Sequence, residues 1–316
     1  MCFGFNGEAA LAQSLGAPRL SRRSALRTAG ALGAGLLAAG ATAPAAHATP
    51  RPAGRHLVPP GQISIQLWTM RDALEGEPGF DETLRTLAEI GYPKVEQALG
   101  YFGRTAGELR SFYDSIGLSA TSSHDGVSDD EEALQTKIDN ARTLGQSFLV
   151  VPYLDSPNRD DWKRWAEQMN HEAEVARSAG LRYGYHNHAH EFTTDLGGVT
   201  PWQVLTAELD PALVHLELDL YWAVRGGIES GQGADDPEGF AIDVIRTAPQ
   251  AVLQYHVKDR HPEDGDMADL GTGHIDFARI FRAHAVLEYV VENDTPDVTP
   301  EQTADVGYRY LRALKT

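Results

Sequence analysis

The sequence predicts an α/β fold: a single (β/α)8 barrel of the TIM type, preceded by an export signal. Three observations predict it. Between Gln62 and Leu314, short apolar runs alternate eight times with segments whose apolar residues recur at helical spacing. In the second half, four runs end on metal-type ligands, in the phrases Tyr185-His186-Asn187-His188, Leu218-Asp219-Leu220-Tyr221-Trp222, Tyr255-His256-Val257-Lys258-Asp259 and Val290-Val291-Glu292-Asn293-Asp294. Side chains at the carboxyl ends of successive parallel strands are where such a barrel builds its site. Residues 1–48 have a different character, with two adjacent arginines ahead of an Ala/Gly/Leu stretch.

The leader comes first. Ser21-Arg22-Arg23-Ser24-Ala25-Leu26-Arg27 is a twin-arginine n-region, Ala29 to Ala43 is apolar, and Ala46-His47-Ala48 is a small-residue cleavage site. The alternatives are an uncleaved amphipathic anchor or a disordered leader. The apolar stretch is short and Gly-rich for a membrane span, so no stable membrane anchor is expected. The partner expected for residues 1–48 is the twin-arginine export machinery, and the expected destination is outside the cytoplasm. Residues 49–61 are Pro/Gly-rich and predict a flexible linker. Residues 62–316 remain for the barrel, long enough for one domain.

The elements follow in order. Ile63 to Trp68 predicts the first strand, rich in β-branched and aromatic residues. Phe80 to Ile90 predicts a helix through Leu84, Leu87 and Ile90, closed by Gly91. Lys94 to Glu96 is a short second strand, and Ala106 to Ile116 a helix ending at Gly117. Leu118 to Ser122 is the third strand, with His124 just beyond it. Asp129 to Leu144 is a helix before Gly145, and Phe148 to Val151 the fourth strand. Arg159 to Ala179 is a long amphipathic helix before Gly180. Leu181 to His186, Val214 to Asp219, Val252 to Val257 and Leu287 to Glu292 are strands five to eight. Trp202 to Leu209, Phe240 to Ala248, Phe277 to Ala285 and Pro300 to Leu314 are the remaining helices. The stretch Arg260 to Asp266 reads as a mobile loop over the mouth. Right-handed crossovers between eight such units close a parallel barrel. A doubly wound open sheet is the alternative, but no Gly-rich nucleotide fingerprint follows the first strand.

Charge narrows the function. The 316 residues carry a formal charge of −18, and removing the leader's four arginines and one glutamate takes it to −21. A surface that acidic repels nucleic acid and anionic lipid. It also disfavours a phosphorylated substrate unless the pocket is locally basic. The one cysteine, Cys2, lies in the leader, so the rest has no disulfide and no thiol nucleophile.

His186, Asp219, His256 and Glu292 are the candidate metal ligands. Mixed nitrogen and oxygen donors suit one divalent ion such as Mn2+, Co2+ or Zn2+. Singly, each has a plainer explanation: a hydrogen-bonded structural histidine, or an aspartate capping the next helix. Four at successive strand ends favour the joint reading. Glu96 points at the same mouth and is a sugar-hydroxyl ligand, a second acid/base or one half of a salt bridge. Lys258 steadies an oxyanion or pairs with Asp259. His188 contacts substrate or hydrogen-bonds a neighbour. His124 donates to substrate or is a solvated loop residue. Trp68 and Trp222 are candidate walls for the C–H faces of a sugar, although aromatics are more often core.

The chain resembles the xylose isomerase-like superfamily of sugar (phosphate) isomerases and epimerases over nearly all of Gln62 to Leu314. The resemblance rests on Ile65-Gln66-Leu67-Trp68-Thr69-Met70-Arg71-Asp72, on Gly184-Tyr185-His186-Asn187-His188 with Glu191-Phe192, and on Leu270-Gly271-Thr272-Gly273-His274-Ile275-Asp276-Phe277. It implies Glu, Asp, His and Glu as metal ligands, with Asp219, His256 and Glu292 in the last three places. The first place falls on His186. It also implies proton exchange by two glutamates, of which only Glu292 is present here. Inosose dehydratases resemble the chain at its His-x-His and His-x-Lys-Asp phrases. The expected activity is isomerisation or epimerisation of a sugar or keto-sugar through an enediolate, with Glu292, Lys258, Glu96 and His188 as the catalytic set. The alternatives are β-elimination by a lyase and a non-catalytic carbohydrate-binding barrel. A DNA-repair endonuclease of the same superfamily is disfavoured by the charge. The expected partner is a small carbohydrate, and homo-oligomers are common in the superfamily.

Overall fold

A computed structural model describes residues 55–315. The export signal expected at 1–48 and the first part of the linker, to residue 54, lie outside the described residues. Eight parallel strands close a barrel. They are β1 (Ile63–Gln66), β2 (Lys94–Gln97), β3 (Ser119–His124), β4 (Phe148–Val151), β5 (Arg182–His186), β6 (Val214–Asp219), β7 (Val252–Val257) and β10 (Glu288–Val291). β10 pairs with both β7 and β1 and so closes the ring. Two short strands, β8 (Asp259–Arg260) and β9 (Met267–Ala268), form a separate antiparallel ribbon.

Helices follow the strands, and their ends obey local chemistry. Thr105 caps α3 (Ala106–Ile116, after α1 Arg71–Glu75 and α2 Phe80–Ile90) through a reciprocal box with Glu108. Gly91, Gly117 and Gly145 end their helices in the left-handed conformation that lacks a Cβ penalty only for glycine. Among the described residues no helix is long and apolar enough to cross a membrane.

Four departures from the expected elements have local causes. The first strand stops at Gln66, whose side chain accepts the Trp68 N–H at 3.2 Å and turns Leu67–Met70 into a 3-10 helix. β3 runs on to His124 because His124 pairs with Val150 of β4. A helix absent from the sequence reading, Leu220–Glu229, starts directly at the end of β6. The stretch 260–266, expected to be a mobile loop, is instead the turn of the β8–β9 ribbon. The Asp259 carboxylate fastens it by accepting N–H groups from Arg260, Gly271, Gly273 and Ile275 at 2.8–3.1 Å. In the described part of the expected linker, Leu57 N–H donates to the Leu314 carbonyl at 3.0 Å, and Val58 is fully buried.

The barrel interior is polar. Strand alternation points His215, Glu217 and Asp219 inward and leaves Leu216 and Leu218 for the helix layer. Near the amino end, Glu288 accepts from Thr121 at 2.7 Å and faces Lys94. Above it, His215 meets Gln254 at 3.0 Å. At the carboxyl end the polar column becomes a cluster of imidazoles and carboxylates.

Candidate metal centre

Strand register assembles the cluster. Asp219 of β6 lies beside His256 of β7, and His256 lies beside Val290 of β10, so Glu292 emerges one step past that strand's end. His186 ends β5 opposite Glu217. His186, Asp219, His256 and Glu292 each offer a donor atom, and these four atoms all lie within 4.8 Å of one another. His186 Nε2 is 3.8 Å from Asp219 Oδ2, and His256 Nδ1 is 2.5 Å from Glu292 Oε2. Asp219 divides its two oxygens. Oδ1 accepts the Trp222 N–H at 2.8 Å and caps the helix, while buried Oδ2 faces the Lys258 ammonium at 3.2 Å and the His186 ring. The donor set fits a divalent ion in type, number and spacing.

A second group lies deeper. Glu217 Oε2 is 2.8 Å from His124 Nε2, 3.2 Å from His256 Nε2 and 3.4 Å from His186 Nδ1. Glu96 Oε1 is 2.6 Å from His256 Nε2 and accepts from Gln66 Nε2 at 2.7 Å. His124, His186, Glu217 and His256 also satisfy the spacing of a cation site.

The xylose isomerase-like TIM barrel family matches residues 84–314. The chain belongs to that family. A sugar phosphate isomerase/epimerase from Parabacteroides distasonis ATCC 8503 is similar at 26% identity and a TM-score of 0.63, over 80% of this chain and 94% of that one. A 3-keto-D-glucoside 4-epimerase from E. coli shares the fold at 17% identity and a TM-score of 0.56, over 79% of this chain and 98% of that one. An IolI protein with a bound zinc atom shares it at 13% identity and a TM-score of 0.58, over 79% and 96%. No curated protein sequence matches the chain. Family and likeness mark the chain as an enzyme of the sugar isomerase/epimerase-like kind.

The electrostatics of this xylose isomerase-like site follow from burial. Five buried carboxylates, Glu96, Glu217, Asp219, Glu292 and Asp294, crowd the mouth. The buried ammonium of Lys258 touches three of them: Asp219 at 3.2 Å, Glu292 at 2.7 Å and Asp294 at 3.0 Å. Burial, reinforced by the Glu217 charge, raises Glu96 to about 7. Burial also raises Asp219 to about 6, against the pull of Lys258. Burial works against charged Glu292, but Lys258 and His256 outweigh it and hold that carboxyl well below its ordinary range. Burial likewise opposes a charged His256, yet Glu217, Glu292 and Glu96 raise it well above the usual imidazole value. His186 goes the other way, to about 3, through burial and the neighbouring His256 charge.

Every residue singled out from sequence lies in or beside this mouth. His188 is buried, with its ring 5.1 Å from that of His186 and 5.3 Å from Trp222. Its loop is held by Glu191, which accepts the His188 N–H at 2.8 Å and the Tyr185 hydroxyl at 2.6 Å. Trp222 is buried, and Lys258 Nζ lies 5.7 Å from its ring. Trp68 sits on the 3-10 turn rather than on a strand, with the Arg71 guanidinium over its ring. Lys258 pairs with the three carboxylates, while Asp259 is spent on the ribbon. Sequence reasoning missed Glu217, Asp294 and the holding role of Glu191. Alternation marks Glu217 as inward, two residues before Asp219, and Asp294 stands two beyond Glu292.

Proposed function

We propose that the chain is a divalent-metal-dependent enzyme that removes a proton beside the carbonyl of an unphosphorylated sugar or keto-sugar, leading to isomerisation or epimerisation. The observation that carries this reading is the convergence of His186, Asp219, His256 and Glu292 at the barrel mouth. These residues would hold Mn2+, Co2+ or Zn2+. Such an ion supplies Lewis acidity, which polarises a carbonyl and acidifies the C–H beside it. Glu292, kept ionised by Lys258 and His256, takes the proton. Glu96, poised about 7 on the opposite nitrogen of His256, is the group able to carry a proton at neutral pH. Lys258 steadies negative charge on the enediolate oxygen. Trp222 Nε1 and His188 Nδ1 are buried without hydrogen-bond partners among the described residues, and serve substrate hydroxyls. Trp68 and His124, both half-buried, are further candidates for substrate contact. Arg71 already donates to the carbonyls of Trp68 and Asp294, and the three carboxylates around Lys258 outnumber its single positive charge, which supports a substrate without phosphate.

His186 supports a second reading. Its neutral imidazole stands where the resemblance implies a glutamate, so one face of the enediolate lacks a carboxylate base. A lyase needs only the first proton transfer, after which a β-leaving group departs with its electron pair. Residues 1–48 support export of the folded protein by the twin-arginine route. Replacing Arg22 and Arg23 with lysine tests that route by retaining the chain in the cytoplasm.

The test of function uses protein reloaded with Mn2+, Co2+ or Zn2+ and a panel of keto-sugars in heavy water. Deuterium at the carbon beside the carbonyl, abolished in Glu292→Gln, supports proton exchange. Enone formation or aglycone release assigns the lyase reading. No exchange and no elimination with a tightly bound sugar would leave a carbohydrate-binding barrel.

A further inference from the structure

We propose that Glu217 is a positioning residue for the metal centre: its carboxylate fixes which nitrogen of His186 and of His256 faces the ion. The inference rests on the metal-dependent reading above.

Register brings Glu217 to the task. It lies two residues before Asp219 on the same inward face of β6, and it pairs with His186 of β5 and Gln254 of β7. Both imidazoles are sorted by nitrogen. His186 turns Nε2 toward Asp219 at 3.8 Å and Nδ1 toward Glu217 Oε2 at 3.4 Å, a charge contact rather than an aligned hydrogen bond. His256 turns Nδ1 toward Glu292 at 2.5 Å, and Nε2 toward Glu217 at 3.2 Å and Glu96 at 2.6 Å. One nitrogen of each ring therefore belongs to the outer donor set, and the other belongs to the deeper carboxylates. A neutral imidazole carries one proton. A carboxylate beside one nitrogen keeps the N–H there and leaves the other lone pair for the ion.

The rest of the environment fits that role. Glu217 is fully buried, its Oε1 has no hydrogen-bond partner among the described residues, and its Oε2 collects three ring nitrogens. His124, the third ring, braces the carboxylate at 2.8 Å from another strand. A residue present only for barrel stability would gain more from an apolar side chain, because a buried carboxylate is costly to desolvate. The rival is a cation seated among His124, His186, Glu217 and His256 themselves, and the experiment separates the two.

The experiment titrates Co2+ into metal-free full-length chain, with affinity read by chelator competition and geometry by visible absorption. Wild type is expected to bind about one ion per chain. Glu217→Gln is expected to keep that stoichiometry but bind about 10–100-fold more weakly, with an altered Co2+ spectrum. Glu217→Asp, which keeps the charge but withdraws it, should weaken binding too and covers the case in which the glutamine variant fails to fold. Glu288→Gln, a buried change at the other end of the barrel, should bind as wild type does. Unchanged affinity and spectrum in both Glu217 variants overturn the inference alone. So does loss of all Co2+ from Glu217→Gln while Asp219→Asn still binds, which would place the ion in the deeper set. Wild type that binds no Co2+ overturns the metal-dependent reading and the inference with it.

Discussion

Lys258 is the residue on which the mouth's charge balance turns. It faces Asp219, Glu292 and Asp294 at hydrogen-bonding distance, and all four groups are buried. Removing one partner of a buried ion pair leaves its counter-charges uncompensated. Lys258→Met should therefore cost the ion-free protein about 3–5 kcal/mol, read by urea unfolding, and added Mn2+ should restore part of the loss. A variant as stable as wild type would mean that the carboxylates protonate instead. Asp219 supports a finer prediction because its two oxygens do different work. Asparagine preserves the cap on Trp222 N–H but removes the carboxylate proposed to hold the ion, whereas alanine removes both. Both variants should lose the ion in elemental analysis, and Asp219→Ala should be less stable than Asp219→Asn by about 1 kcal/mol. Of these residues, the candidate ligands and Lys258 stand out in the sequence because each closes or follows an apolar strand. Glu217 is not, since a strand-interior glutamate shows its purpose only once β5 and β7 stand beside it.

At the scale of elements, the legible parts are those with a strong period or an explicit stop. Phe148–Val151, Val214–Asp219 and Val252–Val257 are apolar or alternating runs with clear ends, and each helix closed by Gly91, Gly117 or Gly145 ends where the glycine says. The helix Leu220–Glu229 is hidden for a physical reason. No turn residue separates it from β6, and it contains Gly226 and Gly227, poor helix formers. Those glycines are there for close packing: a Cβ on Gly226 would lie 2.6 Å from Phe192, and one on Gly227 would lie 2.5 Å from Phe240. The β8–β9 ribbon has two residues per strand, below the length at which alternation can be read. Gly184 of β5 is the matching case inside the barrel, because a Cβ there would come within 2.6 Å of the His215 ring. Gly184→Ala should overpack that layer at about 1–3 kcal/mol, measured by urea unfolding. Wild-type stability would show that His215 can swing away from Gln254.

For the whole molecule, the concentration of buried acid links pH, ion and fold. Asp219 and Glu96 are raised from ordinary values of 3.8 and 4.5 to about 6 and about 7 in the ion-free barrel. Their contribution to its stability is full below the ordinary values and is lost as pH rises through the raised ones. With Asp219 as a proposed ligand, affinity for the ion should fall as pH drops below about 6, by about tenfold per unit from that single proton. Both effects have one sign: the gap in Tm between Mn2+-loaded and ion-free protein should widen from about pH 5 to pH 8. A flat gap would mean that the ion does not displace those protons. The closed ring has one more consequence. His56 bridges Lys315, and the Leu57 N–H bonds to Leu314, so the ends of the described chain already touch. The order in which the units are threaded is then nearly free of the shape they make. A circular permutant that joins Lys315 to Arg55 through a short linker and opens the exposed turn between Ala234 and Asp235 should still fold, melt cooperatively and bind Co2+.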